Sequence, residues 1–270
     1  MLFRSGSHAL PEMLESLGCE VIRIHCEPNG LFPRGTEPLP HNVSDLSEAV
    51  LKHEADIGFA IDPDADRLAI VSEKGEPLGE EYTLVLAADG FLRETKKTNV
   101  FVINLSSSMA LEKLAQKYGS TVERSAVGEV NVVQKMLTLD SKMGGEGNGG
   151  VILEEAHLGR DAMVGVTLVL NRLSQSSQTV SEIFQSLPQF EMVKDKLELK
   201  NIDGDKALIM AENIFQNAAI DKTDGVKFSW ENQWIHLRKS NTEPILRIYA
   251  ESSDRAGAEA LVSQIKEIGR

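Results

Sequence analysis

Ile57-Gly58-Phe59-Ala60-Ile61-Asp62-Pro63-Asp64-Ala65-Asp66-Arg67 runs from an apolar segment straight into three carboxylates at alternate positions. The apolar run reads as a buried strand, and the acids follow at its carboxyl end, where open α/β sheets bind their ligands. Three neighbouring carboxylates repel one another unless a cation lies between them, and a hard divalent ion such as Mg²⁺ prefers oxygen ligands. Metal-assisted phosphate chemistry is the leading expectation. A calcium loop is a poorer fit. It requires glycine at its sixth position, where this chain has Arg67; Glu73 does occupy the twelfth, but strand-like runs flank the segment where helices are needed. An aspartyl-phosphate hydrolase, with Asp62 as nucleophile and Asp64 as acid, is chemically admissible but leaves Asp66-Arg67 and the motifs below without a role.

Working outward, the pattern alternates strands and helices. A helix over 10–17 stops at Gly18 and is followed by a strand over 21–25. A Pro/Gly-rich loop spans 27–40, and a helix over 46–53 leads to the strand 57–61. A hairpin strand over 68–71 and a helix over 80–92 leading out of the first unit come next. The second unit repeats the alternation: strand 100–104, helix 109–118, strand 121–126, helix 130–139, strand 150–153 and helix 162–173. From about residue 189 the order becomes α+β, with a strand, helix 206–216, strands 226–230, 234–237 and 245–249, and helix 255–268. The expected layout is an α/β protein of largely parallel sheets in three units, 1–94, 95–188 and 189–270.

The chain has 270 residues, 41% hydrophobic and 26% charged, enough for real cores. A formal charge of −13 argues against nucleic acid or an anionic membrane as partner, so a phosphate ligand must be held by local cations and backbone donors. Cys19 and Cys26 do not suggest a disulfide framework, and no apolar run reaches the roughly 18 residues of a membrane span. A cytoplasmic setting is expected.

Two further stretches carry polar chemistry. Gly144-Gly145-Glu146-Gly147-Asn148-Gly149-Gly150 places an acid and an amide in a glycine ribbon, suited to close approach of a sugar and pairing with adjacent hydroxyls; the same ribbon would also serve as a mobile linker. Arg238-Lys239-Ser240-Asn241-Thr242-Glu243-Pro244, with Arg247 beyond it, offers guanidinium forks and small donors that suit a phosphate; such clusters also make ordinary turns.

Taken in chain order, the three-aspartate loop, the Gly-Glu-x-x-Gly-type ribbon and the Arg-x-Ser-x-Thr-x-Pro loop resemble the α-D-phosphohexomutase superfamily of phosphoglucomutases, phosphomannomutases and phosphoglucosamine mutases. Leu17-Gly18-Cys19-Glu20-Val21, Val127-Gly128-Glu129 and Arg160-Asp161-Ala162 support the match, which extends over essentially the whole chain. The resemblance implies two mixed-sheet α/β/α domains, the second and third of the family, followed by a smaller α+β C-terminal domain. It also implies that the family's first domain, with its phosphorylated serine, is missing here; Ser5-Gly6-Ser7-His8 only superficially echoes that motif, and a start at Met1 in mid-domain suggests an incomplete sequence.

By the same resemblance, Asp62, Asp64 and Asp66 would hold Mg²⁺, and Arg67 would contact the transferring phosphoryl group. Glu146 and Asn148 would grip sugar hydroxyls, Gly128 would line the cleft, and Arg238, Ser240, Asn241, Thr242 and Arg247 would anchor the second phosphate. The implied activity interconverts hexose 6-phosphate and 1-phosphate through a phosphoserine and a hexose 1,6-bisphosphate, with glucosamine phosphate first and mannose or glucose phosphate next. The alternative of another class is a noncatalytic sugar-phosphate-binding fragment. A homodimer is compatible with the sequence. Many relatives end the sugar loop with Ser-Gly-His where this chain has Asn148-Gly149-Gly150, so any proton-transfer help from that histidine must come from another group; His157, further on, reads as an ordinary surface residue.

Overall fold

In the computed structural model of the protein, residues 6–27, 32–199, 203–240 and 243–269 are described. Helix α1, Gly6–Ser16, ends at Gly18, whose φ of +87° closes the helix as Cys19 N–H donates back to the Leu14 carbonyl at 3.0 Å. Helix α2, Ser44–His53, precedes β1, Ile57–Ile61, and β2, Leu68–Ser72. These two strands pair antiparallel with Ile61 opposite Leu68, so the loop 62–67 is the tip of a hairpin.

The expected strand over 21–25 is not formed. Its composition is suitable, but a strand needs a neighbour for its ladder, and no described strand pairs with it. His25 also turns into the left-handed region, φ +54°, where its Nε2 meets Asp45 Oδ2 at 2.9 Å.

Helix α3, Glu80–Thr95, is buried over almost its whole length, from Glu81 to Leu92. It packs along α6, Ala162–Ser174, and the two helices meet so closely at Gly90 that a Cβ there would overlap the Leu168 carbonyl. Buried Arg172 of α6 reaches Asp89 of α3, Nε to Oδ2 at 2.5 Å, and Asp89 also accepts from Tyr118 Oη at 2.8 Å and Arg93 Nε at 3.0 Å. Helix α3 therefore shares its core with the second unit rather than simply leading away from the first.

That second unit holds β3, Val100–Asn104, α4, Ala110–Lys117, β4, Thr121–Ser125, α5, Glu129–Leu139, β5, Met143–Glu146, and β6, Gly150–Leu153. Its sheet order is β4-β3-β5-β6, with β3 parallel to β4 and β5, and β6 antiparallel to β5. Among the described strands parallel pairing is confined to these two pairs, so this sheet is mixed and the others are antiparallel, rather than largely parallel as expected. Asp161 caps α6 by accepting from Met163 N–H at 2.6 Å, and Thr179 with Glu182 forms a capping box on α7, Val180–Ser186.

The last unit is a five-stranded antiparallel sheet carrying two helices. It comprises β7, Glu191–Glu198, α8, Gly204–Ile214, β8, Ala219–Asp221, β9, Val226–Ser229, β10, Gln233–Lys239, β11, Ile245–Ser252, and α9, Arg255–Lys266, in the order β7-β11-β10-β9-β8. Phe215, Phe228, Ile235, Leu246, Ile248, Leu261 and Ile265 form its separate core. No helix among the described residues is long and apolar enough to cross a membrane.

Candidate functional site

The hairpin tip is shaped by its own first acid. Asp62 is buried; its Oδ1 accepts from the backbone N–H groups of Asp66 and Arg67, each at 3.0 Å, and its Oδ2 from Arg67 Nε at 2.7 Å. Burial works against its ionisation, but these donors and the Asp66 side chain overcome it and hold Asp62 below the usual carboxylate range. Asp66 is pushed the other way by burial, by its hydrogen bond to Asp62 and by the Asp62 charge, with Arg160 partly opposing. Asp64 is exposed.

One oxygen from each of Asp62, Asp64 and Asp66 lies within 4.8 Å of the others. Asp66 Oδ1 is buried without a hydrogen-bond partner, which normally costs free energy. An all-carboxylate set with an unsatisfied buried oxygen fits a hard divalent cation.

The glycine ribbon is not the mobile loop its composition suggests. Residues 143–146 are the buried strand β5, and its glycines serve close packing: a Cβ on Gly144 would meet the Val102 carbonyl at 2.5 Å. The strand ends at Glu146, whose carboxylate is almost fully buried yet lines a cleft of about 340 Å³. Glu146 Oε1 accepts from Asn104 Nδ2 at 2.7 Å and from Gly128 N–H at 3.0 Å, and Oε2 from Arg160 Nη1 at 2.7 Å. Gly128 can present that N–H because it sits at φ +116°, directly ahead of α5. Asn148 lines the same cleft and accepts from Gly150 N–H at 3.2 Å.

The aspartate loop is fastened to the glycine ribbon and to the start of α6. Leu68 N–H donates to the Gly149 carbonyl and Ala162 N–H to the Ala65 carbonyl, both at 3.0 Å. Arg67 then projects from the hairpin tip into the cleft, with Nη1 on Glu37 Oε1 at 2.9 Å.

The opposite wall comes from the last unit: Lys194, His236, Arg238, Arg247 and Tyr249. Arg238 Nε donates to Asp224 Oδ1 at 2.9 Å, and Ser240 N–H closes the turn on the Ile245 carbonyl at 3.0 Å. Asn241 and Thr242 lie outside the described residues. Lys194 Nζ joins Glu80 and Glu81 at 2.6 Å each, and burial, opposed by Lys194, raises Glu81 to about 7.

The seam between the second and last units is polar and buried. Lys227 donates to the Leu105 carbonyl at 2.7 Å while its Nζ sits 3.9 Å above the Trp234 ring. Glu251 accepts from Met109 N–H at 2.8 Å and Trp234 Nε1 at 2.6 Å, and Val127 N–H donates to Asp224 Oδ2 at 3.0 Å. His236 Nε2 lies 2.6 Å from the Asp224 carbonyl, which can only accept, so Nε2 carries the proton and Nδ1 accepts from Ser106 Oγ at 2.9 Å. Burial, aided by Lys227 and Arg238 and opposed by Asp224, lowers His236 to about 4.

The structure thus draws Arg67, Glu146, Asn148, Arg238 and Arg247 to one cleft, with Gly128 behind Glu146 and the three aspartates at the base of Arg67. Asn104, Ser106, Lys194, Asp224 and His236 also line or brace the cleft, and nothing in their local sequence marks them for it; Arg160 stands out only as part of Arg160-Asp161-Ala162. His157 pairs with Asp161, Nε2 to Oδ2 at 2.9 Å, on an exposed turn.

The family descriptions for phosphoglucomutase/phosphomannomutase match almost the whole chain: alpha/beta/alpha domain II over residues 4–75, alpha/beta/alpha domain III over 79–190, and the C-terminal domain over 193–268. The chain belongs to the phosphoglucomutase/phosphomannomutase family. It is 34% identical to a phosphoglucomutase/phosphomannomutase of Thermococcus kodakarensis across 97% of this chain and 58% of that protein. It is 30% identical to a phosphoglucosamine/phosphogalactosamine mutase of Sulfurisphaera tokodaii, across 97% of this chain and 59% of that one. The chain therefore spans about three fifths of these relatives' length. In fold it is similar to a phosphoglucomutase/phosphomannomutase family protein of Burkholderia thailandensis, with a TM-score of 0.84 at 20% identity over 97% of this chain and 57% of that one. It is also similar to the open form of the Paramecium phosphoglucomutase parafusin, with a TM-score of 0.75 at 20% identity over 97% and 55%.

Proposed function

We propose that this chain supplies the metal-, sugar- and phosphate-binding parts of a phosphohexomutase that interconverts hexose 6-phosphate and 1-phosphate, with glucosamine phosphate as the first substrate and mannose or glucose phosphate next. The observation that supports it is that Arg67, then Glu146 and Asn148, then Arg238 and Arg247, from three distant stretches of the chain, line one cleft.

Asp62, Asp64 and Asp66 would hold Mg²⁺, which when bound neutralises charge on a transferring phosphoryl group. Arg67, fixed by Asp62 and Glu37, would direct its guanidinium at the same phosphoryl oxygens. The Glu146 carboxylate is oriented by three donors, which leaves lone-pair capacity for a sugar hydroxyl, while the Asn148 amide can donate to a neighbouring one. Arg238, Ser240, Asn241, Thr242 and Arg247 would hold the phosphate that is not reacting, with guanidinium forks suited to its oxygens. In the complete reaction a phosphoserine gives its phosphoryl group to the sugar, forming a hexose 1,6-bisphosphate; the bisphosphate reorients and returns its other phosphoryl group to the serine, so phosphate is conserved at each turnover.

Titration of glucosamine 6-phosphate, mannose 6-phosphate and glucose 6-phosphate into the chain with Mg²⁺ tests this reading. Saturable binding is expected, tightest for the amino sugar and at least tenfold weaker in Arg238→Ala. Failure of all three to bind overturns it. Conversion assays of the chain alone, with a bisphosphate activator, then separate a complete mutase from a binding fragment.

A further inference from the structure

One guanidinium stands between the loop proposed for the metal and the carboxylate proposed for the sugar. Arg160 directs Nη2 to Asp66 Oδ2 and Nη1 to Glu146 Oε2, the latter at 2.7 Å. Glu129, the first residue of α5, holds this arginine from behind: its Oε1 accepts from Arg160 N–H at 2.8 Å and its Oε2 lies 3.5 Å from Arg160 Nε. Three carboxylates from three separate elements thus surround one cation. The arginine stem runs over Gly150, where a Cβ would overlap Arg160 Cδ, so the missing side chain at 150 is what gives the arginine its path.

We infer that Arg160 is a positioning residue that couples cation binding at the aspartate loop to sugar binding at Glu146. The inference rests on the reading of the site given above. The guanidinium is shared between Asp66 and Glu146. With a divalent cation held at Asp66, the Arg160 guanidinium would lose part of its attraction to that carboxylate and turn toward Glu146 and the cleft. Cation binding therefore prepares the sugar wall, and by linkage sugar binding must tighten cation binding by the same factor. Lysine could not replace it, because a single ammonium lacks the two-armed fork that reaches both acids at once.

Calorimetry on the chain measures the dissociation constant of Mg²⁺ with and without saturating glucosamine 6-phosphate, and that of the sugar phosphate with and without Mg²⁺. The expected result is mutual tightening of about fivefold or more, equal in both directions. In Arg160→Gln, and in Arg160→Lys, the factor is expected to fall toward one while each ligand still binds alone. Gly150→Ala, which displaces the stem without touching any carboxylate, is expected to act in the same way. Thermal melts confirm that each variant is folded, and Arg160→Lys or Gly150→Ala carries the test should Arg160→Gln not fold.

Coupling that persists unchanged in the folded variants would show that the two ligands interact directly, and overturns the inference while leaving the site reading intact. A parent chain that binds neither Mg²⁺ nor the sugar phosphate overturns the site reading and the inference together.

Discussion

Arg238 and Arg247 stand directly opposite each other on the β10–β11 ladder, both facing the cleft. Like charges directly opposed across a ladder destabilise a sheet by roughly 0.2–1 kcal/mol. Asp224 offsets one of them; among the described residues no carboxylate pairs with Arg247. Such a pair is strained without an anion and satisfied with one. Arg247→Thr is therefore expected to leave the melting temperature of the ligand-free chain unchanged or slightly raised, while weakening hexose-phosphate binding at least tenfold, in line with losing a charge-assisted bond of about 1.5–3 kcal/mol. Paired melts and titrations check both halves, and equal affinity would place Arg247 outside the site.

Asp64 makes the complementary case on the metal loop. Its side chain is exposed, so Asp64→Asn should fold with parental stability, relieved of one of three repelling charges. Mg²⁺ affinity measured by calorimetry should fall at least tenfold. Unchanged affinity would exclude Asp64 as a ligand.

Glu146 is expected to be costly to alter even before any ligand is added. In Glu146→Gln the side chain keeps one acceptor for Asn104 and Gly128 but turns an amide toward Arg160, leaving Nη1 of a largely buried guanidinium without its acceptor. A loss of about 1.5–3 kcal/mol in denaturant unfolding is the expected size. A sugar-phosphate titration on the folded variant should show weakened binding; parental stability would mean that the three bonds are not made.

His236 supplies a pH signature. Its folded-state value, about 4, lies below the ordinary 6.5, so the unfolded chain takes up a proton more readily than the folded one. Stability from this group is full above pH 6.5 and is lost as pH falls through the window from 6.5 to about 4, approaching roughly 3 kcal/mol at the lower end. His236→Gln, which can still donate to the Asp224 carbonyl, should lose less stability than the parent over that window. Urea unfolding at pH 7 and pH 4.5 compares them, and identical slopes with pH would mean the imidazole is not buried neutral.

The strand Ile57–Ile61 and its acids were legible because burial and chemistry coincide in eleven consecutive residues, and the α+β character of the last unit followed from closely spaced apolar runs. The strand over 21–25 failed because a ladder is a property of two segments, and composition reports on only one. The helix expected over 80–92 is present and runs on to Thr95, but its packing is not legible in the sequence, since what it leans on, α6, lies about eighty residues ahead. The strand within the glycine ribbon was hidden for a related reason: glycines that look like freedom in a string here permit backbones to touch. The parts played by Arg160 and His236 are not legible locally because their meaning comes from partners 94 and 130 residues away, Asp66 and Ser106.

The buried polar seam that joins Leu105, Met109 and Val127 to Lys227, Glu251 and Asp224 has a consequence for assembly. Neither side can form a complete wall by itself, so ligand recognition arises only after distant portions of the polypeptide have matured and docked. On the proposed function, affinity for a sugar phosphate would be a gauge of correct quaternary-like fit within a single chain, and a substitution far from the ligand that loosens this joint should show itself first as faster ligand release.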